Sequence, residues 1–379
     1  MGFLQTILKD PSLVLGNKKL FSPFYLKKAF SVLFYAIRGT RFASKYGPIR
    51  MQIEITDICN FNCVMCDRRN LKNIRELNHN ISYKKFKNLI NEIRPLYVTL
   101  NGLGEPLFNK DIFKFLKLCG DNNITTSMPT NMSLMNEENR NQLVKYPPSI
   151  LTFSLHGTTH ELFEAITESS TYEKCIHNFE ALLSKIDRGK TDVRILFVLQ
   201  SKNLEEYNPM YKFLKKWKLL DSFRLEPVFD FVPNQKVVPE KEEIEHAIEK
   251  LNFEIKKCKN QRKKSFLIEW KNKLLELFHR KKLQMTVPCL TPWISTYITA
   301  TGNVLPCCYL TSEKYIMGNI NKKPFRTIWN GKRYQAFRGL LINSRKNIME
   351  CYRCFWDDKE RVKRYRPITL YNCRWNPYI

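Results

Sequence analysis

Ile53-Glu54-Ile55-Thr56-Asp57-Ile58-Cys59-Asn60-Phe61-Asn62-Cys63-Val64-Met65-Cys66 is the stretch on which the reading of this chain turns. It begins as a strand, with β-branched residues in alternation, and ends as a loop with the cysteine spacing C-x3-C-x2-C. Three thiolates within eight residues can hold three corners of a cubane [4Fe-4S] cluster and leave the fourth iron open. An open iron is a place to bind a substrate or cosubstrate, whereas a fully ligated cluster only passes electrons. A cysteine pair such as Cys63 and Cys66 is also half of a structural zinc site. Zinc takes four ligands in two pairs, however, and the next cysteine, Cys119, has no partner beside it.

Outward from this loop, strand-like and helix-like runs alternate from residue 47 onward. Strands are predicted at 51–56, 97–101, 124–129, 150–155, 193–200 and 223–228, with a helix-like run between each pair. Each return to a parallel neighbour needs a crossover, so the pattern predicts an α/β fold: a partial (β/α)6 TIM-like barrel over residues 47–228. Functional groups on such sheets stand at the C-terminal strand ends. Residues 229–284 break the alternation and read as a charged helical linker. Residues 285–356, rich in Cys, Pro and aromatics, read as a small C-terminal domain, and 357–379 as a basic tail. Residues 1–46 form a basic, aromatic extension, in which 21–39 suit an amphipathic helix that packs on the barrel or touches a membrane surface.

Composition sets further bounds. A length of 379 residues allows two domains with real cores. The apolar run 29–37 is about half of what a bilayer crossing needs, and no small-residue cleavage site follows it. Twelve cysteines without a secretion signal fit metal binding in a reducing, cytoplasmic setting better than a disulfide framework. The formal net charge of +27 attracts polyanions: nucleic acid, an anionic membrane surface or an anionic substrate. No RNA-binding module is visible, so no specific nucleic acid partner is expected.

The cysteine loop after the first strand resembles that of the radical S-adenosylmethionine (SAM) superfamily. The residue before the last cysteine is often aromatic there and packs on the adenine. Here it is Met65, whose soft thioether can cover the same face. Gly102-Leu103-Gly104-Glu105-Pro106, after the second strand, matches the superfamily's glycine-rich motif, so the resemblance implies that Gly102, Gly104 and Glu105 contact SAM. Asn131 after the third strand and Ser154 at the end of the fourth resemble residues that line the SAM site. Relatives often place an arginine for the SAM carboxylate where this chain reads Ala165-Ile166-Thr167, which leaves Arg194 on the fifth strand as its substitute. His156 stands where relatives often have Asp; it reads equally as a satisfied strand-end histidine.

A second cysteine set comprises Cys289, Cys307, Cys351 and Cys354. A hairpin turn around Gly302 feeds Cys307, and Cys351-x-x-Cys354 closes the set. Four thiolates would fill every iron of a cubane. The set resembles the auxiliary-cluster modules called SPASM and twitch. The longer two-cluster pattern does not continue after Cys354, so one auxiliary [4Fe-4S] cluster is expected. Cys308 and Cys373 contest a ligand place; Cys307 keeps the Gly-x4-Cys spacing. A four-cysteine zinc site remains the other reading.

The resemblance implies an enzyme that cleaves SAM at the Cys59/Cys63/Cys66 cluster, takes a hydrogen atom from its substrate and passes the remaining electron to the auxiliary cluster. That outcome is an oxidation, of a small molecule such as a sugar, with an electron donor such as flavodoxin or ferredoxin. Glu226 on the sixth strand is the candidate base, and Arg68 or Arg69 a candidate phosphate holder. A maturase acting on a peptide or protein is the alternative, and a nucleic-acid-binding protein with structural zinc sites is the alternative of another class.

Overall fold

The quoted stretch does enter a sheet. In a computed structural model, which describes residues 22–72, 76–228, 236–279, 289–343 and 348–352, strand β1 (Arg50–Ile53) lies parallel to β2 (Tyr97–Leu100). Met51, Ile53, Val98 and Leu100 are all fully buried, as the β-branched and apolar pattern requires. The chain forms two compact units. The first is drawn from the chain up to Ile58, from Asn78–Met128 and from the chain after residue 282; the second from Cys59–Leu77 and Pro129–Lys282.

In the first unit the strand order is β3-β2-β1-β7-β8-β9, where β3 is Thr125–Thr130, β7 Ser295–Ile298, β8 Asn303–Leu305 and β9 Gly318–Asn319. β7 pairs in parallel with β1, Arg50 opposite Ser295, so the cysteine-rich C-terminal segment extends the barrel sheet itself. β7 and β8 form the expected antiparallel hairpin. Its turn needs Gly302, which has φ +85° and closes a 2.8 Å bond from its N–H to the Thr299 carbonyl. Helix α1 (Pro23–Arg38) starts with proline in its first turn and ends at a left-handed Gly39. Its inner face buries Tyr25, Ala29, Val32 and Ala36. The buried Lys28 amino group on that face donates to the Ile93 and Arg94 carbonyls at 2.7 and 3.1 Å, capping helix α2 (Tyr83–Ile93).

In the second unit β4 (Ile150–Ser154), β5 (Asp192–Leu199) and β6 (Phe223–Pro227) run parallel. The helical run after β4 is interrupted around Ser169, as its sequence suggests: α3 (His160–Thr167) stops at a left-handed Glu168 before α4 (Tyr172–Leu183). Residues 241–278 are helical, as expected, but they are core rather than a free linker. α5 (Lys241–Lys257) and α6 (Gln261–Phe278) pack together, and α6 buries Phe266, Leu267, Trp270, Leu274 and Leu277. Trp270 stacks on Phe223 of β6, with its Nε1–H bonded to the Leu204 carbonyl at 2.9 Å.

Candidate functional site

Beyond β1 the chain stays extended and buries Glu54 completely. Its carboxylate accepts three hydrogen bonds: from the Leu103 N–H (3.1 Å), the Tyr297 hydroxyl (2.7 Å) and the Ala300 N–H (2.9 Å). One buried carboxylate thus ties the glycine-rich loop to the hairpin of the C-terminal segment. The loop passes so close that only glycine fits. A Cβ at Gly102 would lie 2.3 Å from Glu54 Cγ, and one at Gly104 would lie 2.4 Å from the Thr56 carbonyl oxygen. Glu105 is buried; its N–H bonds the Ile58 carbonyl at 2.9 Å, one residue before Cys59, and its side chain caps the Leu107 N–H.

In the second unit the cysteine loop is braced on several sides. The Asn62 and Val64 N–H groups donate to the Thr167 and Ile166 carbonyls (3.1 and 2.9 Å), the stretch where an arginine was sought. Arg69 donates to the Asn62 carbonyl (3.1 Å) and pairs with Glu168 at 2.8 Å. Against the upward pull of burial, the bonds from Arg69 and Asn62 hold Glu168 below the usual carboxylate range. Arg69 is therefore committed to the loop rather than open to a phosphate. Asn131 is committed too: its amide donates to Asn60 Oδ1 (3.1 Å) and accepts from the Ser133 N–H and hydroxyl (2.9 and 2.7 Å).

Cys59, Cys63 and Cys66 are part-buried and outside any disulfide among the described residues. Burial raises Cys66 to about 11 and also pushes Cys63 well up, with the neighbouring thiols adding to the rise at Cys63. Among the described residues no three His, Cys, Asp or Glu side chains converge tightly enough for a single metal ion. Three thiols that feel one another without meeting at a point are the donor set of a cubane, in which each sulfur takes its own iron. These residues fit the group.

Met65 is 6% exposed, and the Gln200 amide points at its sulfur at 3.8 Å. Gln200 is fully buried just past β5, and its Oε1 has no hydrogen-bond partner. Sequence reading missed it, since a lone glutamine after a strand carries no pattern. Ser154 ends β4, opposite Leu196. Arg194 is only the third residue of β5, far from that strand's C-terminal end, and its guanidinium pairs with Asp192 at 2.6 Å. That pairing is the physical reason to withdraw it as a carboxylate partner. Glu226 stands opposite Val198 near the C-terminal end of β6. His156 is buried, and its Nδ1 accepts the Val198 N–H at 3.2 Å, which puts the proton on Nε2. Burial lowers it to about 3, so the ring is neutral and structural at neutral pH.

One face of the first unit's sheet carries a further feature. Gln52, Thr99 and Ser127 stand side by side on β1, β2 and β3. All three are at most 5% exposed, and Gln52 Nε2, Thr99 Oγ1 and Ser127 Oγ lack hydrogen-bond partners among the described residues. Buried polar groups left unpaired are rare and mark a place for water or ligand.

Of the second cysteine set, Cys289 precedes helix α7 (Thr291–Ile294), Cys307 follows β8, and Cys351 lies in α8 (Met349–Tyr352). Cys354 and Cys373 lie outside the described residues. Arg338 is wholly buried between the arms that carry Cys289 and Cys307. It donates to the Pro292 and Trp329 carbonyls at 2.9 Å and packs on the faces of Trp329 and Tyr334. Tyr334 in turn bonds the Leu305 carbonyl at 3.3 Å, two residues before Cys307. Burial lowers Arg338 to about 10, its Nη2 has no partner, and no carboxylate among the described residues pairs with it.

The radical SAM superfamily model matches residues 53–214, and an iron-sulfur cluster-binding domain, SPASM, matches residues 289–355. The chain carries a radical SAM domain followed by a SPASM domain. It is 25% identical to the AdoMet-dependent heme synthase of Methanosarcina barkeri over 307 residues, 76% of this chain and 83% of that one. A shorter match, 31% over 67 residues, is to the S-adenosyl-L-methionine-dependent 2-deoxy-scyllo-inosamine dehydrogenase of Niallia circulans, 17% of this chain and 27% of that one. In structure it resembles Streptococcus suis SuiB bound to precursor peptide SuiA, with TM-score 0.60 and 17% identity over 89% of this chain and 79% of that one. This radical SAM chain therefore has the α/β partial-barrel fold and is an enzyme whose cofactors are SAM and [4Fe-4S] clusters. Among its described residues no helix is long and apolar enough to cross a membrane.

Proposed function

We propose that this radical SAM enzyme oxidises a small, hydroxyl-rich molecule such as a sugar or cyclitol. The supporting observation is the row Gln52, Thr99 and Ser127: three buried, unpartnered polar side chains abreast on neighbouring strands. A site built to hydrogen-bond a substrate's hydroxyls rejects analogues that lack them, because its own polar groups are then left unpaired. An apolar ligand would leave these groups unsatisfied.

When bound, the clusters and SAM supply the radical chemistry: reductive cleavage of SAM for hydrogen-atom removal at the first cluster, and a sink for the substrate's remaining electron at one auxiliary cluster. The chain's own residues do the rest. Cys59, Cys63 and Cys66 hold the first cluster, and Cys289, Cys307, Cys351 and Cys354 the auxiliary one. Gly102, Gly104 and Glu105 present backbone to SAM, while Met65 and Ser154 line it, and Asn131 keeps the cysteine loop in place. Glu226 takes the proton that the oxidised substrate releases. Flavodoxin or ferredoxin supplies the reducing electron.

The test is anaerobic turnover with a panel of sugars, aminocyclitols and peptides, reading 5′-deoxyadenosine and the product mass. Stimulation by a polyol with loss of two hydrogens supports the proposal, and Thr99→Val with Ser127→Ala should remove that stimulation while sparing substrate-free SAM cleavage. Stimulation by peptides alone would favour the second reading, a peptide maturase. That reading is motivated by the peptide-bound relative.

A further inference from the structure

Ten large apolar side chains stand exposed among the described residues, and five of them fall between Leu26 and Phe42. Four belong to α1: Leu26 (52% exposed), Phe30 (80%), Phe34 (51%) and Ile37 (70%). At 3.6 residues per turn they share a stripe about 80° wide, turned away from the buried Tyr25, Val32 and Ala36. Phe42 follows the helix, and Ile342 comes within 3.9 Å of where a Cβ on Gly39 would lie, so the apolar surface continues past the helix end. A contiguous patch of this kind marks an interaction site rather than ordinary surface scatter.

The charge around the patch names the partner. Residues 22–47 contain no Asp or Glu, but Lys27, Arg38, Arg41 and Lys45 are all exposed there. Lys27 and Arg38 border one edge of the stripe on the helix, and the Arg38 guanidinium leans over the Phe34 ring at 5.2 Å. Aromatic and aliphatic side chains on one face with cations along its border make up an interfacial amphipathic helix. Its apolar face enters the acyl boundary while its cations reach lipid phosphates.

We propose that the outward face of α1 docks this enzyme onto an anionic lipid bilayer, lying in the interface and not crossing it. Leu26, Phe30, Phe34 and Ile37 insert; Lys27, Arg38, Arg41 and Lys45 bind phosphates. This goes beyond the proposed reaction and does not depend on it.

The experiment is co-sedimentation of the full chain, reconstituted anaerobically, with phosphatidylcholine vesicles and with vesicles that also contain phosphatidylglycerol. The protein should bind the anionic vesicles at least roughly tenfold more tightly and release them in high salt. Phe30→Ser with Phe34→Ser should lose that binding, and Lys27→Glu with Arg38→Glu should lose the preference for anionic lipid. Both variants should retain iron content and SAM cleavage. Equal binding to both vesicles, or binding untouched by the Phe variants, overturns the proposal. So does a stable dimer that the same Phe variants dissociate, which would make a second copy the occupant. Binding that appears only after residues 1–21 are removed would assign the face to that segment instead.

Discussion

The Tyr297 hydroxyl stands 2.7 Å from Glu54 Oε2, so the strand that opens the C-terminal segment is bonded to the residue that follows β1. The same carboxylate holds the Leu103 N–H of the glycine-rich loop. Glu54→Gln replaces an acceptor of three bonds with a side chain that must turn its NH2 toward one of those donors. A buried donor left unsatisfied costs about 1–3 kcal/mol. SAM affinity should fall roughly tenfold, since about 1.4 kcal/mol is a factor of ten. Tyr297→Phe should move it in the same direction and by less. Equilibrium SAM binding to the reconstituted protein checks this, with iron content as the control for folding.

Gly104→Ala should be the more damaging change nearby. Its Cβ would meet backbone, the Thr56 and Ile58 carbonyl oxygens at 2.4 and 2.7 Å, and backbone does not move aside as a flexible side chain does. Overpacking of this kind costs about 1–3 kcal/mol. SAM binding should be lost together with a lowered thermal midpoint, and calorimetry of the cluster-loaded protein distinguishes this from the milder Glu54 variants.

His156 predicts an acid limb. Its ring releases its proton near 3 in the folded chain and near its ordinary 6.5 when unfolded. Between those values the unfolded state binds more protons, so stability is full above about 6.5 and falls as pH drops toward 3, by up to about 1.4 kcal/mol per unit. Asn at this position keeps an acceptor for the Val198 N–H and does not titrate. Urea unfolding from pH 7 to 5 should therefore show a shallower loss for His156→Asn than for the parent protein.

Arg338 predicts an electrochemical effect. The buried Arg338 guanidinium is held by the Pro292 and Trp329 carbonyls and by the faces of Trp329 and Tyr334. A positive charge between the arms of Cys289 and Cys307 would also favour the more negative, reduced state of a thiolate-bound cluster held there. Removing the cation with Arg338→Met should lower the auxiliary cluster's midpoint by roughly 59 mV or more, a tenfold change for one electron. Arg338→Lys should restore part of it. Potentiometric EPR titration reads both clusters in one sample, and an unchanged auxiliary midpoint would make Arg338 a packing residue only.

Much of this molecule is legible in the sequence because cofactor loops are local. Cys59, Cys63 and Cys66 lie within eight residues, so their spacing exposes them, and the Gly102–Gly104 turn gains its meaning from following one strand later. The pairing of β7 with β1 is not local and leaves no pattern to read. Arg194 shows the limit differently: sequence places it on a strand but not at what height, and it lies low, bonded to Asp192. Gln200 matters only through the Met65 sulfur that folding brings to it. The helices α5 and α6 are legible as helices, and the signal for their buried face is present too. Phe266, Leu267, Trp270, Leu274 and Leu277 recur at helical spacing beneath a charged exterior.

The position of β7 has a consequence for biosynthesis. As the chain leaves the ribosome, Met51 and Ile53 emerge about 245 residues before their neighbours Thr296 and Ile298. Until then one side of β1 is an open hydrophobic edge, the kind that recruits stray strands. Polypeptides stopped short of residue 298 should therefore collect in inclusion bodies rather than persist as a free-standing barrel.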